Sequence, residues 1–139
     1  MNITIRQAKT KEDYNLSLEI RRKVFIEEQS VPENIEIEFE DKSIHFIAFV
    51  DNLPVGTSRW RRTTQGIKLE RFAVLKDFRK MSIGSKMFQV ILSDISNEKM
   101  IYLHSQENVI EFYRKLGFKE SGDKFIEADI IHQKMYYSP

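Results

Sequence analysis

Apolar and polar positions alternate at the start of the chain, where Ile3-Thr4-Ile5-Arg6 reads as a short half-buried strand. Thr10 follows as a helix cap, with Asp13 three positions on as its capping-box partner. Tyr14, Leu18 and Phe25, with Ile20 and Val24, recur near helical spacing and predict a helix from Lys11 to Glu28. Val31-Pro32 ends it, because proline has no backbone N–H to donate. Glu33, Glu36, Glu38, Glu40 and Asp41 then read either as a solvated acidic loop or as a lip that attracts a cationic substrate. Three strands are predicted next, Ile44 to Val50, Pro54 to Arg62 and Ile67 to Val74, joined by turns at Asp51-Asn52 and Thr63-Thr64-Gln65-Gly66. Two consecutive hairpins make this part antiparallel.

Helical periodicity then returns. Ile83, Met87, Val90 and Ile91 predict a helix from Ser82 to Ser96, followed by a strand from Met100 to Leu103. Strand, helix and strand in that order imply a parallel crossover. Val109 to Leu116 is a further helix, with Gly117 placed to end it, and Phe125 and Ile130 to Tyr137 close the chain as strands. The expected fold is α/β: a mixed, mostly antiparallel sheet with one parallel β-α-β step. The last strand, with its aromatic end, is a candidate edge for a homodimer.

The length of 139 residues suits a single domain, 1–139. With no cysteine the chain has no disulfide framework, thiol nucleophile or cysteine zinc site. A net charge of +1 argues against bulk-charge binding to nucleic acid. No apolar run approaches a membrane span, and Met1 to Tyr14 lacks the apolar stretch of a secretory leader, so a cytoplasmic protein without a membrane partner is expected.

The informative segment runs from Leu69 to Lys86. A strand leads into a loop carrying Arg79 and Lys80, then into a helix whose first turn holds Ser82, Gly84 and Ser85. Free N–H groups at a helix start bind anions, and small residues let a ligand come close. Neither the P-loop spacing nor a GxGxxG pattern is present. On physical grounds this is either an anion site or an ordinary helix start with exposed cations.

Arg79-Lys80-Met81-Ser82-Ile83-Gly84 resembles the Arg/Gln-x-x-Gly-x-Gly/Ala pyrophosphate loop of GNAT-type N-acetyltransferases, with Ser82 where glycine is usual. Asn108-Val109-Ile110-Glu111-Phe112-Tyr113-Arg114-Lys115-Leu116-Gly117-Phe118 resembles the family's late Asn…Phe-Tyr-x-Lys-x-Gly-Phe segment. Residues Arg21 to Pro32 are similar to the Arg-x-x-Val-Phe-x-x-Glu-Gln-x-Val-Pro signature of its ElaA/YjcF-like branch. His45-Phe46, Gln106 and Phe125-Ile126-Glu127-Ala128 fit that branch as well. Its usual Gly-Ile-Pro-His stands here as Asp129-Ile130-Ile131-His132.

The resemblance implies a sheet flanked by helices on both faces, acetyl-CoA as cofactor, and direct transfer to a small-molecule amine with both substrates bound. It assigns cofactor contacts to the main chain of Phe72, Ala73 and Val74, to Arg79, Lys80, Met81, Ser82, Ile83, Gly84 and Ser85, and to Asn108, Phe112 and Tyr113. Tyr113 is the implied general acid at the CoA sulfur. Glu70, His104, His132 or water remains open as the base. Arg21, Arg22, Phe25, Glu28, Gln29, Arg71, Gln106 and His132 are placed around the acceptor. Arg59, Arg61 and Arg71 either recognise an anionic group on it or pair with the acidic segment. Alternatives are a protein-lysine acceptor, a non-catalytic acyl-CoA sensor, and a nucleic-acid module in which Trp60 and Phe72 stack among Arg59, Arg61, Arg62, Lys68 and Arg71.

Overall fold

A computed structural model describes all 139 residues. Strand β1 (Ile3–Gln7) leads to helix α1 (Lys11–Arg21), which runs on through π-helical turns over Arg22–Glu28. Thr10 caps α1 by accepting from the Asp13 N–H at 3.0 Å, while the Asp13 carboxylate takes Arg6 instead of reaching back to the cap. The π-helical turns span the end of the expected helix and bury the adjacent pair Val24 and Phe25. The acidic segment is solvated only in part, with Glu33, Glu38 and Asp41 exposed. It forms a short helix α2 (Glu33–Glu36) and a single turn at Glu40–Lys42, with Glu36 buried.

The meander follows as β2 (Ser43–Val50), β3 (Leu53–Thr63) and β4 (Gly66–Val74). Helix α3 (Ile83–Ile95), β5 (Ile101–Gln106), helix α4 (Ile110–Leu116) and strands β6 (Phe118–Glu120), β7 (Phe125–Glu127) and β8 (Ile130–Tyr137) complete the chain. Gly117 ends α4 at a φ of 106°, a left-handed conformation that glycine takes without steric cost.

All eight strands form one sheet in the order β1-β2-β3-β4-β5-β8-β6, with β7 also paired to β8. The β4–β5 pair is parallel and every other pair is antiparallel. Because β8 lies between β5 on one side and β6 and β7 on the other, it has no free edge to offer a second copy. Alternation on β2 shows how the two faces are covered. Ile47 and Phe49 pack with Ile20, Val24 and Phe25 of the first helix, whereas Ala48 and Val50 pack with Ile83 and Met87 of α3. Ile110 and Tyr113 of α4 join Phe88 and Ile91 of α3 in the largest apolar cluster, so α3 and α4 cover the same face.

Candidate active site

Strands β4 and β5 stay together only briefly. Ile67, Lys68 and Leu69 pair with Ile101, Tyr102 and Leu103; beyond them β4 runs to Val74 and β5 to Gln106 with no pairing between the two. A cavity of about 580 Å³ occupies the splay. A bulge in β4 shapes its wall. Arg59 faces Glu70 and Thr57 faces Ala73, so Arg71 and Phe72 together oppose Ser58, with Arg71 at a φ of 58°. The extra residue brings Glu70, Arg71 and Ala73 to the α1 face and sends Phe72 to the other, against Tyr113.

The outer stretch of β4 keeps an unpaired main-chain edge. Leu75 N–H donates to the Val55 carbonyl at 2.8 Å and Ala73 is paired with Thr57. Antiparallel pairing alternates, so the intervening Val74 turns its N–H and carbonyl toward the splay. The Val74 carbonyl accepts from Arg79 Nε at 2.8 Å.

The start of α3 stands beside that edge. Lys86 is the first residue to close a helical bond, donating to Ser82 at 3.0 Å, and the N–H groups of Ile83, Gly84 and Ser85 have no helical partner. No side chain caps this end. Lys80 and Ser82 sit at φ values of 72° and 60°, so Ser82 occupies a left-handed position that glycine fills with less strain. Met81 and Ile83 anchor the loop by packing under the sheet, Ile83 fully buried and Met81 in part. A Cβ on Gly84 would lie 3.1 Å from the Phe112 ring, so this glycine lets α3 and α4 approach closely.

Tyr113 lies in an aromatic cluster with Phe72, Phe112 and Phe118 and lines the cavity. Its hydroxyl is accessible from the cavity and bonds to no protein group. Burial raises its pKa, so it keeps its proton throughout the neutral range. Asn108 is exposed in the turn Glu107–Val109, caps no helix, and also faces the cavity.

The residues expected around the acceptor divide into two groups. Arg21 is wholly buried: its Nε and Nη2 reach the Glu36 carboxylate at 2.9 Å and its Nη1 reaches Glu40 at 2.7 Å. Glu40 also pairs with buried Arg59 and accepts from Tyr14 at 2.6 Å. Arg71 donates to the Glu36 and Ile35 carbonyls at 3.1 and 3.0 Å. These arginines therefore pair with the acidic segment, and Arg21 is unavailable to a substrate. Exposed Arg22 pairs with Glu19 and Glu27 and does not line the cavity. Phe25 belongs to the core beside Ala73 and also borders the cavity. Glu28 holds Arg79 at 2.9 Å, and Gln29 accepts from Gln106 at 2.8 Å across the cavity.

Glu70 is a poor base. Burial would raise its pKa, but the hydrogen bond from Arg61 and the charges of Arg59 and Lys68 outweigh that and hold it at about 2. Burial of Arg59 and the packing of Trp60 and Phe72 against the core also dismantle the nucleic-acid stacking surface.

His104 and His132 share the cavity with Glu127, a carboxylate the sequence reading did not single out as a site residue. His104 Nδ1 is 3.5 Å from one Glu127 oxygen and His132 Nε2 is 3.7 Å from the other. His132 Nδ1 lies 2.7 Å from the Ile130 carbonyl and donates to it. Despite the altered Asp129-Ile130-Ile131-His132 segment, His132 keeps its place in β8, opposite Gln106 and Phe125. Ala128 and Asp129 achieve this with φ values of 51° and 61°, the left-handed pair of a tight two-residue hairpin. The visible signal for Glu127 was its place one residue before that turn.

The chain matches the acetyltransferase (GNAT) domain family over residues 5–139. It belongs to the GNAT acetyltransferase family. Two Bacillus subtilis (strain 168) relatives agree. The uncharacterized N-acetyltransferase YjcF is 35% identical, with 92% of this chain and 94% of the relative covered. The uncharacterized protein YyaT is 37% identical, with 96% and 94% covered. Escherichia coli ElaA superposes with a TM-score of 0.86 at 19% identity, covering 99% of this chain and all of that one. An acyl-CoA N-acyltransferase from Pseudomonas aeruginosa gives 0.84 at 21% identity, with 99% of both covered. No helix is long and apolar enough to cross a membrane.

Proposed function

We propose that residues 1–139 act as one domain that transfers the acetyl group of acetyl-CoA directly to a primary amine of a small molecule. The observation that carries this reading is the unpaired N–H of Val74 beside the three free N–H groups that open α3. A cofactor with an amide-bearing arm and a pyrophosphate fits that pair: the β4 edge supplies strand-like hydrogen bonds, and the helix start supplies anion-binding donors. Arg79 and Lys80 add positive charge, and the Asn108 amide is free to hold the arm. Solved GNAT-fold neighbours, an aminoglycoside 6′-N-acetyltransferase and Thermoplasma acidophilum PaiA, are described in complex with coenzyme A.

Acetyl-CoA supplies an activated acyl group as a thioester. When it is bound, the Val74 N–H would polarise its carbonyl, and the Tyr113 phenol would supply a proton to the sulfur. The acceptor enters from the side of Gln29, Gln106 and the histidines. Glu36 and Glu40 are occupied by arginines, which leaves Glu33, Glu38 and Asp41 as the exposed acids of the segment, with Glu38 at the cavity.

The test is a panel of primary amines with acetyl-CoA, read by thiol release and by mass of the acetylated product. Turnover of a small amine supports the reading. Acetyl-CoA binding with no turnover on the whole panel supports the non-catalytic sensor instead.

A further inference from the structure

Strand register places Lys68, Glu70, His104, Glu127 and His132 on one face of the sheet, under the cavity. Among them His104 has an asymmetric ring. Its Nδ1 is buried and makes no hydrogen bond, with the Glu127 carboxylate 3.5 Å away, whereas its Nε2 is accessible and bonds to nothing in the protein. A carboxylate on one ring nitrogen keeps the proton there and leaves the other nitrogen free to accept. The second Glu127 oxygen faces His132, whose other nitrogen is fixed by the Ile130 carbonyl. The Phe125 ring packs edge-on to His104 at 4.9 Å and stacks on His132 at 5.9 Å. Phe125 thereby sets the planes of both imidazoles, while Glu127 faces both at ion-pair distance.

We infer that Glu127 is a positioning residue that fixes the tautomer of His104, so that His104 Nε2 receives the proton released by the acceptor amine. The inference rests on the acetyltransferase reading above. An acceptor ammonium gives up one proton to become a nucleophile and a second as its N–C bond forms and the C–S bond breaks. One proton ends on the sulfur, delivered by Tyr113, and the other passes through His104 to solvent. Glu127 balances the imidazolium that forms. The remaining charges facing this pair are His132 and Lys134 from β8 and Lys68 and Glu70 from β4. Lys68 is paired with Glu70, and Lys134 is turned onto Tyr102 and Gln65.

The experiment compares wild type, Glu127→Gln, Glu127→Asp, His104→Gln and the Glu127→Gln/His104→Gln double variant. Imidazole NMR without substrate is the first readout. Loss of the carboxylate should redistribute the His104 ring proton between its two nitrogens, read from their chemical shifts. Kinetics are the second. Glu127→Gln should lower kcat by about tenfold or more with the KM for acetyl-CoA unchanged. Glu127→Asp should recover part of the loss, and Glu127→Gln should cost nothing further in the His104→Gln background. Unmoved His104 resonances, or losses that add in the double variant, overturn the inference. The expected NMR change with no acetylation of any amine overturns the acetyltransferase reading and the base role with it.

Discussion

The guanidinium of Arg79 donates to the main-chain carbonyl of Val74 at 2.8 Å and is held there by the Glu28 carboxylate at 2.9 and 3.0 Å. It thus covers the strand edge on which the cofactor arm is proposed to lie. Both partners are well exposed, so the pair contributes only about 0–1 kcal/mol. Glu28→Gln should release Arg79 toward the pyrophosphate and tighten acetyl-CoA binding by up to about fivefold, measured by calorimetry. Weaker binding would show that Glu28 assists the cofactor and does not restrain Arg79.

Arg21 is a structural cation. Arg21→Met leaves Glu36 buried without its main partner and should destabilise the fold by about 3–5 kcal/mol in urea unfolding. A variant of unchanged stability that lost only affinity for the amine would restore Arg21 to the acceptor site.

Acid should weaken the same network. Burial tends to raise the pKa values of Glu40 and Glu70, but hydrogen bonds and neighbouring cations prevail, and both lie below the ordinary 4.5, Glu70 at about 2. Carboxylates depressed by folding stabilise the native state above the unfolded pKa and lose that contribution as pH falls through the folded one. Glu70 alone contributes on the order of 3 kcal/mol. The urea midpoint should fall between about pH 4.5 and 2, and Glu70→Gln should flatten that decline.

The Tyr113 hydroxyl bonds to nothing in the protein, so removing it should leave the fold intact. Tyr113→Phe is expected to bind acetyl-CoA within about twofold of wild type and to lower kcat by roughly tenfold or more. Equal kcat values would assign Tyr113 to packing alone.

Much of this architecture could be read from the chain. The periodicity of Ile83, Met87 and Ile91 placed α3 within one residue at each end, and Gly117 ended α4 as expected. Strand β5 runs three residues past the expected Leu103, because His104 to Gln106 find their partners in β8 and not in local alternation. Strand β6 is only three residues long and carries no periodicity of its own. The bulge at Arg71 escaped notice because nothing in Glu70-Arg71-Phe72 marks a left-handed residue in a strand. The acidic segment was legible only in part for a related reason: its pairing with arginines was one of the expected outcomes, but Glu36 and Glu40 meet Arg21 from 15 and 19 residues away, a distance over which sequence shows charge but not partner. The cofactor residues were legible because small residues and cations at a helix start have a direct chemical meaning. Glu127 was not, since its role depends on two histidines brought in by β5 and β8.

The claim that the β4 edge and the start of α3 form a cofactor site is tested most directly by titrating acetyl-CoA into wild type and Ser85→Glu. A carboxylate in the first turn favours the helix dipole while repelling a bound pyrophosphate, so the substitution separates binding from folding. Saturable binding by wild type, weakened about tenfold or more in a variant that melts no lower, is the predicted result. No binding by folded wild type, or equal binding by both, would contradict it.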